Sequence, residues 1–187
     1  MDLTEHLVSS ETVFDGALLH VRRDVVQTPG GGESVREWVA HPGAAAVVVL
    51  LADASTVLVR QYRHPSRREF LEVPAGKLNA GETPGAAARR ELAEEVGMAA
   101  RTWTALGAMH PTIGYSDEVI HLFLAEDIDE HAATPDADEH LVPVRMPFAD
   151  AVALARRGGI ADAKTALALL LADAVVAART SARDAAR

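Results

Sequence analysis

The spacing of charges and glycines over residues 76–98 limits what this chain can fold into more than any other feature. The segment reads GKLNAGETPGAAARRELAEEVGM. Ala88, Leu92 and Val96 recur at every fourth position, which predicts an amphipathic helix with one buried stripe. Thr83 or Glu82 is suited to cap it, Pro84 to open its first turn and Gly97 to end it. Residues three and four apart share a helix face, so Glu91, Glu94 and Glu95 are expected as a carboxylate cluster pointing away from that stripe, with Arg90 one turn before Glu94. Three carboxylates on one face repel one another unless a cation sits among them. A hard divalent ion such as Mg²⁺ suits ligands that are all oxygen and bridges to phosphate groups. A solvated surface helix accounts for the glutamates alone, but not for a glycine-flanked loop and Glu82 at a fixed distance before them.

Composition narrows the class. With 187 residues, 49% of them hydrophobic, the chain suits one domain with a small N-terminal extension. A net charge of −9 argues against a nucleic-acid partner. A small phosphate ligand needs only a local basic cluster. The absence of cysteine rules out a disulfide framework and a thiolate-bound metal. The opening MDLTEHLVSS lacks the basic and apolar regions of a signal peptide. The longest apolar run, residues 44–52, is far shorter than the ~20 residues that span a bilayer. The expectation is a cytoplasmic protein with no membrane partner.

Around the helix the chain reads mainly as strands. Residues 11–27 and 34–40 are extended segments about the turn Pro29-Gly30-Gly31-Gly32, which predicts an N-terminal antiparallel β-ribbon. Residues 44–51 form a continuous valine-rich run, as expected of a strand buried on both faces. Asp53-Ala54-Ser55 turns the chain into residues 56–62, expected as its partner strand. Residues 69–73, 101–109, 118–125 and 141–146 supply further strands, and helices follow at 148–157 and 162–178. The last helix has only Asp162, Lys164, Thr165 and Asp173 as polar residues and reads as a packing helix. Strands around one central helix, closed by terminal helices, predict a layered α/β fold. The expected division is residues 1–42, a ribbon extension, and residues 43–187, the main domain.

The segment 76–98 matches the Nudix box, G-x5-E-x7-R-E-U-x-E-E-x-G-U with U aliphatic, at every specified position. By this resemblance the chain is identified as a member of the Nudix hydrolases. The resemblance implies an α/β/α sandwich with a mixed sheet, and hydrolysis of a nucleoside diphosphate linked to another group. It also implies a divalent metal, Mg²⁺ or in its place Mn²⁺. Residues 59–76, VRQYRHPSRREFLEVPAG, resemble the Q-Y-R…L-E-x-P-A-G run of the ADP-ribose and nucleoside-diphosphate-sugar pyrophosphatases. In that branch the arginine of Q-Y-R, here Arg63, contacts substrate phosphate, and the alanine of P-A-G, here Ala75, offers its carbonyl to a metal. A forked guanidinium is a natural partner for a diphosphate. Arg67 and Arg68 read as loop charges.

Two flanking runs extend the likeness. REWVAHPG, residues 36–43, resembles the part of this branch in which the ribbon swaps across a two-fold axis and lends residues to the partner's site. That implies a homodimer with Arg36 as a substrate-binding residue. HPTIGYSDEVIHLFLA, residues 110–125, matches at Gly114, Tyr115, Asp117 and Glu118, with Glu118 as a further substrate-binding candidate. It departs at Ile113, where ADP-ribose pyrophosphatases place a proline. The acidic run DIDEHAATPDADEHL corresponds to the segment that supplies the catalytic base, and Glu139 best fits that place.

The implied site is therefore Glu91, Glu94, Glu95 and the Ala75 carbonyl on the metal, Arg90 keeping the glutamates in register, and Arg63 on the diphosphate. Glu139 or a box glutamate would take a proton from the attacking water. From ADP-ribose the products would be AMP and ribose 5-phosphate. The alternatives are a hydrolase of another nucleoside diphosphate sugar, such as a GDP- or UDP-sugar, and a ligand sensor without catalysis. Sensors usually lose a box glutamate, and this chain keeps them all.

Overall fold

The computed structural model describes residues 1–133 and 140–185. The chain forms two compact units, one of Met1–Gly43 with His110–Val119, the other of Ala44–Met109 with Ile120–Arg187.

The first unit is built on an antiparallel sheet of β1 (His6–Asp15), β2 (His20–Gln27) and β3 (Glu33–Ala40), in that order. The expected ribbon thus has one more strand, because residues 11–27 do not run straight. Asp15-Gly16 is a turn pair, and the Gly16 N–H bonds the Leu19 carbonyl at 2.9 Å. The turn foreseen at residues 29–32 is present, with Gly31 at φ +85°. Residues 110–119 join this sheet's end. The Val39 N–H donates to the Tyr115 carbonyl at 2.8 Å, and the His41 N–H to the Asp117 carboxylate at 2.8 Å.

The second unit has two sheets. One is β7 (Ala75–Lys77), β4 (Ala44–Val49), β9 (Ile120–Glu130) and β8 (Met98–Met109), in that order, given β5 (Ser55–Arg63), β6 (Arg68–Glu72) and β10 (Leu141–Pro147) for the other, ordered β10-β5-β6. β4 runs parallel to β9, and the remaining pairs are antiparallel, so the first sheet is mixed. Here one expectation is corrected. β5 is not the ladder partner of β4. Both edges of β4 are taken, by β7 and β9, and the turn through Ala54 (φ 60°) carries the chain into the second sheet instead.

The described residues include three α-helices, α1 (Pro84–Val96), α2 (Phe148–Arg156) and α3 (Ala163–Ala185): α1 and α3 pack on the mixed sheet, and α2 packs on α3 and on β5 and β10. The strictly alternating side chains of β4 divide the core. Ala44, Ala46 and Val48 pack in the cluster that holds Val152, Ala168 and Leu169. Ala45, Val47 and Val49 pack in the one that holds Ala88, Leu92 and Val96. A strand buried on both faces between two helix layers is the reason for an unbroken apolar run. By length and composition α3 could also cross a membrane, with mean hydropathy 1.4. Its Thr165, Ala168, Leu169 and Ala172 face is instead buried in this core.

Candidate active site

The helix α1 begins and ends as its residues dictate. The Thr83 hydroxyl accepts the Ala86 N–H at 3.3 Å, Pro84 opens the first turn, and Gly97 closes the helix at φ 65°. Glu82 is not the cap. Its carboxylate accepts the Asn79 N–H at 2.9 Å and receives Arg90 through Nε at 3.0 Å and Nη2 at 2.9 Å.

Arg90 is the centre of the cluster. Besides Glu82, its Nη1 reaches Glu91 at 2.7 Å and Glu94 at 3.0 Å, and Nη2 donates to the Lys77 carbonyl at 2.9 Å. The hydrogen bonds it donates to Glu82, Glu91 and Glu94 raise its already high pKa further, so it is a permanent cation. The glutamates differ in exposure in a way that helix periodicity alone did not anticipate. Glu91 and Glu95 are buried, at 6% and 5%, whereas the Glu94 side chain is 34% exposed. Positions 87, 91 and 95 lie directly beside the stripe 88, 92 and 96, so two carboxylates flank the core instead of facing away from it.

The strand β7 meets these buried acids. The Ala75 N–H donates to Glu95 Oε2 at 3.1 Å. A β-carbon at residue 76 would overlap the carboxyl of Glu91, so only glycine admits Glu91 at that place. Three carboxylates against one guanidinium leave the Arg90 group net negative. Among the described residues no three acidic or histidine side chains form a ready metal cage. The chemistry of the donors nevertheless fits a hard divalent ion: they are all oxygen, and two of them are carboxylates largely withdrawn from water.

Arg63 stands at the end of β5, and Glu95 contributes to the field that raises its pKa after the larger effect of its hydrogen bonds with Glu72. It is held by Glu72 in a two-bond fork, Nε to Oε1 at 2.7 Å and Nη2 to Oε2 at 2.8 Å. Glu72 also binds Lys164, which in turn pairs with Asp162 at 3.0 Å. Burial alone would raise the Glu72 pKa, but the Arg63 hydrogen bonds and the Lys164 charge hold it below the usual carboxylate range. Glu72, Asp162 and Lys164 were not foreseen as site residues. The signal available was polar residues opening an otherwise Ala/Leu-rich helix, a pattern that capping also explains. Arg67 ends the short turn His64–Ser66 at φ 53°, and Arg68 lies over the Phe70 ring at 4.4 Å.

The structure thus brings together Ala75, Arg90, Glu91, Glu94 and Glu95, with Arg63 within the field of Glu95. Arg36 and Glu118 belong to the first unit. Arg36 is exposed and bonded to Glu5 and to Ser34 Oγ, and it lines a cavity of about 450 Å³ together with Trp38, Gly114 and Tyr115. Glu118 lies 3.8 Å from the His41 ring. Glu139 is outside the described residues.

Comparison with known proteins agrees with this geometry. Residues 40–169 match the family described as NUDIX domain, and residues 5–39 match the Nucleoside diphosphate sugar hydrolase N-terminal domain. The ADP-ribose pyrophosphatase of Bacillus subtilis (strain 168) is 37% identical over 169 residues, which cover 89% of this chain and 91% of that protein. The ADP-ribose pyrophosphatase of Mycobacterium tuberculosis (strain ATCC 25618 / H37Rv) is 40% identical over 172 residues, 90% of this chain and 83% of that one. A crystal structure of an ADP compounds hydrolase superposes with a TM-score of 0.83 at 25% identity, covering 96% of this chain and 98% of its own. A complete box, an α/β/α sandwich built to carry it and a family match over most of the chain lead to one conclusion: this chain belongs to the Nudix hydrolases, a family whose members generally need a divalent metal.

Proposed function

We propose that this chain hydrolyses the diphosphate bond of ADP-ribose or a closely related nucleoside diphosphate sugar, releasing a nucleoside monophosphate and a sugar phosphate. The observation that carries the reading is the net-negative cluster about Arg90, with two buried carboxylates packed against the Ala75–Lys77 strand. Glu91, Glu94, Glu95 and the Ala75 carbonyl would hold the ion, with Mg²⁺ favoured by the all-oxygen donors and Mn²⁺ as its substitute. A divalent ion there supplies charge neutralisation at the diphosphate and lowers the pKa of a bound water. Arg90 keeps three of the glutamates from drifting apart. Arg63, its Nε and Nη2 held by Glu72, would meet the diphosphate with its remaining N–H groups. Glu139, or a box glutamate, takes the proton from the attacking water.

The test is direct. Purified protein should release AMP and ribose 5-phosphate from ADP-ribose in Mg²⁺, and should lose that activity with a chelator. A panel of GDP- and UDP-sugars run beside it separates the preferred nucleoside. Absence of turnover on the whole panel would instead favour a ligand sensor.

The same reading includes assembly as a homodimer through the first unit. Every residue of β1 is exposed, Leu7, Val8 and Phe14 among them, and so are Leu18, Leu19 and Val35. Apolar exposure on this scale marks an interaction surface. A second copy of the same sheet is the partner that a two-fold axis supplies, with Arg36 completing the neighbour's diphosphate site. Deleting residues 1–40 should abolish both the dimer and the activity while leaving the box intact. Sedimentation showing a fully active monomer would refute the shared site.

A further inference from the structure

The helix α3 was expected only to pack, yet its first turn carries a set of polar contacts that packing does not need. The Glu72 side chain is 4% exposed and is bonded by two cations, Arg63 and Lys164. Lys164 is itself 13% exposed, and lysine is rarely so buried without a partner. It spans Glu72 and Asp162, which makes a balanced quartet of two anions and two cations. Asp162 Oδ2 also accepts the Thr165 N–H at 3.0 Å and the Thr165 hydroxyl at 2.5 Å. The Thr165 hydroxyl, fully buried, accepts the Val73 N–H at 2.8 Å. Val73 is followed by Pro74, whose carbonyl accepts the Val47 N–H at 2.9 Å, and by Ala75, whose N–H binds Glu95.

We propose that the turn Asp162 to Thr165 is a positioning clamp for the diphosphate-hydrolysing centre, with Lys164 acting through Glu72 on Arg63 and Thr165 acting through the Val73 N–H on the turn that presents Ala75. The inference rests on the function proposed above. A buried ion quartet gains little stability over apolar packing of the same volume, so orientation is the more natural use for it here. The pairing with Glu72 takes the Nε and Nη2 edge of Arg63 and fixes the plane of the fork, while the side chain stays 45% exposed. Beside it opens a cavity of about 290 Å³ lined by Arg63, Phe70, Glu72, Ala161, Asp162 and Lys164. Without Lys164 the quartet becomes net negative. Arg63 is then drawn onto its own carboxylates, and an incoming diphosphate meets added negative charge. Thr165 acts differently, since losing its hydroxyl strands a buried N–H one residue before the Pro74–Ala75 peptide.

Two variants separate the two arms. Lys164→Met should raise KM for ADP-ribose ~10-fold with kcat changed less than ~3-fold, and should add less than ~2-fold to KM once Arg63→Ala is present. If Lys164→Met does not fold, Lys164→Gln keeps a donor and removes only the charge, and the same KM shift is expected. Thr165→Val should lower kcat ~10-fold and weaken Mn²⁺ binding, read by electron paramagnetic resonance titration without substrate, by a similar factor. Thr165→Ser should restore both. Thermal melts are run on every variant. Variants that lose melting temperature while KM and Mn²⁺ affinity stay within ~2-fold of the parent would overturn the clamp and leave a structural role only. If the unmodified protein turns over no nucleoside diphosphate sugar, the functional reading fails, and the Mn²⁺ titration of the Thr165 pair still decides the clamp.

Discussion

Two groups of charge in the second unit are built from the same residue types and differ in their balance. About Arg90, three carboxylates share one guanidinium. About Glu72, two carboxylates meet two cations. The first group is short of positive charge and partly desolvated, which is the condition under which a divalent ion binds well. The second is neutral, and its charges hold one another in place while Arg63 stays partly open to solvent. Carboxylates of equal burial therefore have different chemical prospects, set by the cations that the fold brings to them.

The largest expected effect lies in the unbalanced group. Glu94→Gln and Glu95→Gln should each lower kcat at least ~100-fold in Mg²⁺, because each removes charge from the set proposed to hold the ion. Glu94→Gln should melt near the parent, since its side chain is partly exposed, while Glu95→Gln should lose some stability as well. Near-normal turnover in both would sink the assignment.

A test of shape rather than charge comes next. Gly76→Ala forces a methyl group into the Glu91 carboxyl. A loss of ~10-fold or more in kcat is expected, with a stability cost of about 1–3 kcal/mol typical of overpacking. An unchanged enzyme would mean that Glu91 sits elsewhere in the working protein.

Within the balanced group, Glu72 should answer in stability and its pH dependence as well as through Arg63 in KM. The folded pKa of Glu72 lies below its unfolded value of about 4.3. Its contribution is therefore complete above the unfolded value and is lost as pH falls through the folded one. Urea melts should show Glu72→Gln weaker than the parent by about 3 kcal/mol at neutral pH, with the gap closing in acid. A gap that does not change with pH would show that the ion pairs are not formed.

The smallest effects separate Arg63 from its neighbour. Arg63→Ala should mainly raise KM, and Arg67→Ala should change it less than ~2-fold. Equal effects would mean a diffuse basic patch instead of a fork.

What could be read beforehand follows the range of the interactions. The limits of α1 were legible because capping by Thr83, the fit of Pro84 and the stop at Gly97 act within a few residues. The double burial of β4 was legible from an unbroken apolar run. Sheet partners were less so, because nothing local states that β7 and β9 would occupy both edges of β4 before β5 could. Arg90, Glu91, Glu94 and Glu95 are neighbours on one helix, so their spacing announced them. Glu72 and Lys164 lie 92 residues apart, and neither has a local pattern naming the other. The inward lean of Glu91 and Glu95 escaped notice because a period of four describes a helix face only to within one neighbouring position.

The bond between the Val73 N–H and the Thr165 hydroxyl bears on how far this protein can be shortened. A fragment ending at residue 160 would keep the whole box, all three described sheets and every proposed metal ligand. It would nevertheless lose the only described side chain that receives the Val73 N–H, together with one of the two cations on Glu72. The smallest working piece therefore has to extend at least through the first turn of α3, well past the motif by which such enzymes are recognised. Gene fusions, split-protein designs and library boundaries should be drawn beyond Ala172, the last buried residue of that helix.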